Sequence, residues 1–196
     1  GKERRTRLME FESIQATQVV ANNARLYVNR EEGFIGWGLK KDDFVKECSD
    51  IDDIIVFRAD AKCIVSRISE KTFVGKDILH VDVWRKGDER TTYNLIYIDG
   101  ETGKAMAKRF NVTGVTRDKE YDLTKGHPKS KALYFSANPE GEAEIVSIQL
   151  TAGCSAKIKQ FDFNFSELDI KGRSSQGNIV TKYPVRKVSL KEKGKS

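Results

Sequence analysis

A hairpin pattern that recurs about every 40 residues constrains this chain more than any other feature. The unit is an apolar strand, a polar turn and a second strand that ends in a cation, and it is clearest over residues 92–110. The turn positions are Ala61, Gly103, Gly141 and Gly177, at spacings of 42, 38 and 36 residues. A hairpin repeat of this period is typical of propeller-like arrays. Such arrays are usually rigid binding surfaces for large partners rather than catalytic clefts.

Length and composition agree with one folded domain or a compact array. A chain of 196 residues can bury roughly 70% of its unfolded surface. Apolar residues alternate with polar ones from Leu26 to Val188, and no segment longer than about eight residues has a helical period, so the chain is predicted to be all-β. Residues 41–48 are expected to form a short helix or a connecting loop. The first residue is Gly1 rather than Met, which suggests a fragment of a longer protein.

The residues that could carry chemistry give no catalytic or metal signature. The cysteines, Cys48, Cys63 and Cys154, are widely spaced, which favours reduced, buried thiols in a cytosolic protein. Three acids at positions 50, 52 and 53 could ligate a metal, but turn and strand-entry roles are favoured because no distant ligand set accompanies them. No stretch of about 18 apolar residues could span a bilayer, and no signal peptide is recognisable.

Positive charge is concentrated at the end of the chain. The net charge is +6, and residues 171–196 hold eight Lys or Arg against one acid, so the other 170 residues sum to −1. A basic end on a balanced body indicates either a polyanionic partner or a solubilising tail. Return strands also end in cations, which could meet successive phosphates of a bent duplex or could protect strand edges from aggregation.

The segment 171–177 is a second basic feature. Gly172 and Gly177 frame small polar residues, with Lys171 and Arg173 beside them. Small residues let backbone N–H groups approach a phosphate, and the cations add charge. A plain flexible turn explains the same composition equally well.

Five short motifs follow one another along the chain, at residues 33–36, 53–57, 73–78, 103–110 and 172–182. As an ordered series they resemble the C-terminal domain of the A subunit of bacterial type IIA DNA topoisomerases, the family of DNA gyrase and topoisomerase IV. The resemblance covers residues 25–188.

The resemblance implies an all-β fold, a β-pinwheel of about four or five blades in which neighbouring blades exchange strands. It implies that double-stranded DNA bends around a basic rim. The cleavage tyrosine and the ATPase of such an enzyme lie elsewhere, so this region is expected to have no catalytic activity, no metal site and no cofactor, with ATP and Mg bound by other domains of the parent. The implied partners are DNA, the rest of the A subunit, and the B subunit that carries the ATPase, in a heterotetramer. The implied location is the bacterial cytoplasm at the nucleoid and not a membrane.

Two departures from the family pattern qualify what is expected. Gyrase carries a basic glycine-rich box in its first blade, and residues 39–50 contain no such string, which favours a topoisomerase IV-like role. Segment 171–177 resembles at best a degenerate copy of that box. Ala61 replaces the turn glycine of the other repeats, so its turn must either avoid positive φ or cost about 1 kcal/mol.

These patterns predict three regions: a linker or first strand over residues 1–24, a DNA-binding β-pinwheel over residues 25–188, and a basic tail over residues 189–196. The predicted DNA-binding residues are Arg67, Lys76, Lys108, Arg109, Lys171, Arg173, Lys182 and Arg186. Two rivals remain open. One is a β-propeller scaffold for protein partners, and the other is a carbohydrate- or nucleotide-processing enzyme with paired carboxylates facing a central channel.

Overall fold

Sixteen β-strands and one short 3-10 turn make up the secondary structure of residues 22–193, the part of the chain that the computed structural model describes. No α-helix forms among these residues, and none of their segments is a helix that could cross a membrane. The all-β prediction is therefore confirmed. The elements are β1 (Ala24–Asn29), β2 (Phe34–Gly36), β3 (Asp43–Cys48), β4 (Asp53–Arg58), β5 (Lys62–Arg67), β6 (Thr72–Phe73), β7 (Ile78–Trp84), β8 (Thr92–Ile98), β9 (Ala105–Asn111), β10 (Glu120–Asp122), β11 (Lys131–Asn138), β12 (Ile145–Leu150), β13 (Gln160–Asn164), the 3-10 turn (Phe165–Glu167), β14 (Ile170–Gly172), β15 (Asn178–Thr181) and β16 (Val185–Glu192).

The strands form four small sheets, here called blades 1 to 4. Their strand orders are β3-β1-β2-β6, β10-β5-β4-β7, β11-β8-β9-β14 with β15 also on β9, and β13-β12-β16. Each blade is built on a hairpin, and after the hairpin of blades 2, 3 and 4 the chain first returns to the preceding blade. Thus β6 pairs with β2, β10 pairs with β5, and β14 and β15 pair with β9. Neighbouring blades therefore exchange strands, as the resemblance implies.

Two of the four predicted hairpins form. The turns at Ala61 and Gly103 join β4 to β5 and β8 to β9. The hairpin predicted around Gly141 is wrong, because β11 pairs with β8 and the chain then crosses to blade 4. The hairpin predicted around Gly177 is also wrong, because β14 and β15 both lie against β9. A strand–turn–strand pattern indicates the turn but does not show which distant strand each arm will pair with.

Ala61 and residues 41–48 show two further differences in local structure. Ala61 adopts φ 59°, so its turn accepts the left-handed conformation at a cost of about 1 kcal/mol. The short helix or loop expected for residues 41–48 is wrong, since Asp43–Cys48 is a strand paired with β1 through a bulge. Its pattern was obscure because Phe44 is exposed and the bulge shifts the alternation.

Three apolar layers hold neighbouring blades together. Side chains alternate across a strand, so β4 points Ile54 and Val56 toward blade 1 and Ile55 and Phe57 toward blade 3. A third layer between blades 3 and 4 is centred on residues such as Ile148. A strand that is covered on both faces reads as a continuous apolar run, which is what residues 54–57 show.

Both ends of the described chain bear on the predicted regions. Strand β16 continues to Glu192 and pairs with β12, so residues 189–192 of the predicted basic tail belong to blade 4. Strand β1 begins at Ala24, the last residue of the region predicted as a linker or first strand. The remaining predictions for residues 1–21 and 194–196 lie outside the described residues.

The cysteines are all free thiols. Cys48 and Cys63 are buried, and burial raises the pKa of Cys48 to about 11 and that of Cys63 to about 12. Cys154 is only partly buried, so the expectation of buried thiols is wrong at that position.

A partly buried histidine makes the stability of the blade 2–3 layer sensitive to acid. The His80 ring packs at a tilt against the rings of Phe57 and Phe135, at centroid distances of 6.1 and 5.7 Å. Its Nε2 atom is buried and has no hydrogen-bond partner among the described residues, and burial lowers the pKa of its imidazole. Protonation in the folded protein is therefore unfavourable.

Acid destabilisation is expected to depend on His80. As the pH falls below about 6.5, the unfolded chain takes up a proton that folded His80 resists, so the free energy of unfolding decreases. Between pH 7 and 5 we expect His80→Phe to remove about 1–2 kcal/mol of that decrease in urea unfolding experiments. Leu79→Phe, which adds no titratable group at an exposed position of the same strand, is the control and should keep the original pH dependence. An unchanged slope in His80→Phe would rule His80 out as its source.

Candidate nucleic-acid interface

The exchanged strands form the perimeter of the blade array. Blades approach one another through β3, β7, β11 and β16, which lie at one edge of their sheets. The sheets therefore fan out, and the strands at the opposite edge are β6 in blade 1, β10 in blade 2 and β14 with β15 in blade 3. A large ligand on the outside of the array would meet these strands first.

A group of cations surrounds Tyr121 where the perimeters of blades 2 and 3 meet. The Arg173 guanidinium lies 4.0 Å from the Tyr121 ring centroid and the Lys119 ammonium lies 5.2 Å from it. The Tyr121 hydroxyl accepts a hydrogen bond from the Thr116 N–H at 2.8 Å, and this bond, with Lys119 and Arg173 nearby, lowers the pKa of the phenol. We call Lys119, Lys171 and Arg173 the outer basic cluster.

Segment 171–177 brings two of these cations to the perimeter. Strand β14 runs parallel to β9, the chain turns, and β15 returns antiparallel along the same edge of β9. The Gly177 N–H donates to the Tyr97 hydroxyl at 3.0 Å, and a Cβ at Gly177 would lie only 2.8 Å from the Ala107 carbonyl oxygen. Glycine is needed here for close approach to β9 rather than for an unusual φ.

Some backbone N–H groups of this segment are already hydrogen-bonded within the protein. The Ser175 N–H donates to the Gly172 carbonyl at 3.1 Å, and the Gly177 N–H is bound inward by Tyr97. At these two positions the backbone N–H group is therefore not available to a phosphate. The expectation that small residues here let N–H groups reach a phosphate is wrong at these positions. The charge of the segment lies on two side chains, Lys171 and Arg173. The Lys171 Nζ atom is 3.1 Å from the Asn178 Oδ1 atom.

Six of the eight sequence-predicted cations reach solvent. Arg67, Lys76, Lys182 and Arg186 are exposed, and Lys171 and Arg173 are partly exposed. They do not form one group. Arg67 stands at the end of β5, 3.9 Å from the Asp53 carboxylate, and Lys76 follows β6. Lys182 follows β15, and Arg186 lies at the start of β16.

The expectation that Lys108 and Arg109 stand on an exposed rim is wrong. Their exposed fractions are 2% and 7%. Strand β9 lies inside blade 3, with β8 on one side and β14 and β15 on the other, so the end of this return strand is covered. Arg109 donates to the Asn94 Oδ1 atom at 3.2 Å and to the Gly141 carbonyl at 3.0 Å, and burial lowers the pKa of its guanidinium.

The perimeter also holds cations that the hairpin pattern did not single out. Lys119 precedes β10, and Lys71, whose ammonium lies 4.4 Å from the Phe34 ring centroid, precedes β6. Both belong to exchanged strands rather than to hairpins. For Lys119, the sign available in the sequence was the basic, irregular stretch 116–130, whose pattern indicates only a connection between strands.

Acidic side chains near the inner strands are engaged in local contacts. A cavity of about 700 Å³ is lined by residues of β3, β7, β8 and β11 and by both signs of charge. Asp82 pairs with Lys46 at 2.8 Å, and Glu140 pairs with Arg90 at 2.8 Å. Asp52 accepts the Ser49 N–H at 2.8 Å. Among the residues described, no group of three His, Cys, Asp or Glu side chains could hold a metal ion.

Comparisons with known proteins agree on one family. The model of the family described as "Topoisomerase C-terminal domain, Bacteroidota" matches residues 25–193. The A subunit of DNA topoisomerase 4 from Borreliella burgdorferi is 25% identical over 191 residues, which is 96% of this chain but only 28% of that protein.

A solved structure supports the same fold. The crystal structure of the C-terminal domain of DNA topoisomerase IV superposes with a TM-score of 0.50 at 13% identity, over 88% of this chain and 62% of that one. The likeness concerns the fold, and it confirms the predicted β-pinwheel.

Proposed function

Because the chain belongs to the topoisomerase C-terminal domain family, we propose that it binds and bends double-stranded DNA within the A subunit of a type IIA topoisomerase. The observation that supports this best is the outer basic cluster, where Lys119 and Arg173 come from different blades and converge on Tyr121. Cations that stand at successive places on a curved perimeter can neutralise successive phosphates of a curved duplex. Contacts of this kind position DNA without reading its sequence.

An exposed cation that follows β15 extends the same interface. This cation is Lys182, whereas Arg186 and Lys187 are exposed on β16 at the opposite edge of blade 4, and Lys191 is paired with Asp162. Bending a duplex over one or two helical turns costs several kcal/mol, so many phosphate contacts must act together. The positive balance of residues 171–196 suits that requirement.

We place the domain in a topoisomerase IV-like rather than a gyrase-like enzyme. The support is the absence of a glycine-rich basic box in residues 39–50 and the likeness to a topoisomerase 4 protein. In this proposal the domain is non-catalytic and needs no cofactor, while ATP and Mg are used by other domains. It acts together with the rest of its own polypeptide and with the ATPase-bearing partner polypeptide in the bacterial cytoplasm.

Binding of duplex DNA at two salt concentrations tests the proposal. The chain is titrated into a fluorescent duplex of about 40 base pairs at about 50 and 200 mM NaCl, and anisotropy gives the affinity. We expect binding that weakens with salt, with a log–log slope of about −0.9 for each phosphate neutralised. A protein-binding scaffold predicts no binding near physiological salt, and that result would reject the DNA-binding role.

Bending and chiral wrapping need a separate measurement. A relaxed plasmid is bound by the chain, treated with a nicking–closing enzyme and then freed of protein. A shift in linking number indicates chiral wrapping of the gyrase kind. Binding without a shift is the outcome expected for a topoisomerase IV-like domain.

A further inference from the structure

Lys108 makes a set of contacts that a rim residue would not make. Its ammonium donates to the carbonyl oxygens of Leu123 at 2.8 Å, Arg173 at 2.5 Å and Ser175 at 2.8 Å. An ammonium group has three N–H donors and no acceptor, so three carbonyls satisfy it fully. Two of these three carbonyls belong to segment 171–177.

Because Lys108 is buried, its ammonium group depends on these three carbonyl acceptors. Its side chain is 2% exposed, and burial lowers the pKa of the ammonium to about 7. The Cys63 thiol and the cations Lys171 and Arg173 are the titratable and charged groups that act on it, and the Phe110 ring centroid lies 4.9 Å away. A buried ammonium that lost the segment would keep only the Leu123 carbonyl, which is costly.

The same hydrogen bonds also limit where the side chains of the outer basic cluster can stand. The Arg173 carbonyl oxygen points inward to Lys108, while the Arg173 guanidinium lies over Tyr121 on the perimeter. The Gly177 N–H is held by Tyr97, so the segment is pinned at three of its residues. Pinning the main chain at Arg173 therefore limits where its side chain, and that of nearby Lys171, can stand.

We propose that Lys108 is a positioning residue that fixes the main chain of segment 171–177, so that Lys171 and Arg173 are presented at the blade 2–3 perimeter. The anchoring role is inferred from the hydrogen bonds alone, whereas its effect on DNA binding rests on the proposed function. Lys108 itself does not touch DNA. This role replaces the phosphate contact that the sequence pattern predicted for it.

Trypsin provides a direct test of the anchor, because Lys171 and Arg173 are themselves cleavage sites. In Lys108→Met, a buried side chain of similar length without donors, we expect native-state cleavage after these residues to become roughly tenfold faster or more. Val28→Ala, a core substitution in blade 1, is the control for general loss of stability. Cleavage of Lys108→Met at the rate of the wild type or of this control would overturn the anchor.

Measurements of DNA binding distinguish a positioning role for Lys108 from direct contact with DNA. We expect Lys108→Met to weaken duplex binding roughly tenfold while the salt slope keeps its wild-type value, because no contacting charge is removed. Arg173→Ala should instead reduce the slope by about 0.9. Faster cleavage with unchanged affinity would overturn the link to DNA and leave the anchor standing. A wild-type chain that binds no duplex would reject the proposed function, and cleavage would still decide the anchor.

A measurement on the unmodified chain covers the case in which Lys108→Met does not fold. Ammonium protons of exposed lysines exchange rapidly with water, whereas three carbonyl hydrogen bonds in a buried site slow this exchange. We expect one protected ammonium signal in the ¹⁵N NMR spectrum of the chain near pH 6, with scalar coupling to backbone carbonyl carbons. If no protected lysine ammonium is detected, the proposed anchor is wrong.

Discussion

Replacing Glu144 with alanine is expected to lower the free energy of unfolding by about 3–5 kcal/mol, the range for removing one member of a buried charged network. Glu144 is 3% exposed and lies between blades 3 and 4. Its carboxylate accepts hydrogen bonds from the Asn94 amide at 3.1 Å and the Asn138 amide at 3.4 Å. The hydroxyls of Tyr134 and Ser136 also donate to it.

The size of the effect follows from what would be left unpaired. Four donors on β8 and β11 would lose an acceptor, two of them on the buried side chains of Asn94 and Asn138, and each buried polar group left unsatisfied costs about 1–3 kcal/mol. Among the described residues no carboxylate contacts buried Arg109 directly, and Arg109 connects to Glu144 through Asn94. Removing Glu144 therefore also removes the nearest buried counter-charge in that network.

Urea unfolding of two further variants isolates the buried network. Glu144→Gln keeps the shape and most hydrogen bonds, so a loss of about 1–2 kcal/mol is expected. Glu140→Ala removes an exposed carboxylate that pairs with Arg90, and surface pairs contribute roughly 0–1 kcal/mol. If Glu144→Ala is no more destabilising than Glu140→Ala, the network does not stabilise the junction.

The hairpins at Ala61 and Gly103 were predictable because they are local. Between Ile54 and Ser66, or between Tyr93 and Phe110, an apolar strand, a turn residue and a second strand lie within about 20 residues of one another. These signals indicated the class of fold and, as an ordered series, its family.

Strand exchange was not predictable from the same signals. Strand β10 is three residues long, reads Glu-Tyr-Asp and pairs with β5, more than 50 residues earlier in the chain. It carries no apolar alternation that would mark it as a strand. The perimeter is built from such segments, which explains why Lys119 was missed although Lys171 and Arg173 were found.

The burial of Lys108 illustrates a limit of residue patterns. A lysine beside a phenylalanine in a strand has the same appearance whether it protects an edge, meets a phosphate or is buried. Its acceptors lie 15, 65 and 67 residues away, so only the tertiary structure distinguishes these roles. The cation–apolar pair at the end of the return strand was therefore assigned to the rim when it belongs to the interior.

Reversing the charge of the outer basic cluster is expected to produce the largest loss of DNA affinity. The triple variant Lys119→Glu, Lys171→Glu and Arg173→Glu removes three phosphate contacts and adds repulsion. We expect affinity near 0.1 M salt to fall about 100- to 1,000-fold and the log–log salt slope to decrease by about 2.7. Anisotropy titrations over a range of salt concentrations measure both quantities.

A matched triple separates this cluster from the effect of net charge. Lys40→Glu, Lys41→Glu and Lys86→Glu produce the same change, from +6 to zero, at exposed positions outside the exchanged strands and the outer basic cluster. Local phosphate contacts act over about one Debye length, roughly 10 Å in 0.1 M salt, so the matched triple should change affinity several-fold at most. Equal losses in the two triples would mean that DNA responds to the overall charge of the domain. A small loss in the cluster triple would instead place the interface elsewhere on the perimeter, with Lys71, Lys76 and Lys182 as the next cations to reverse.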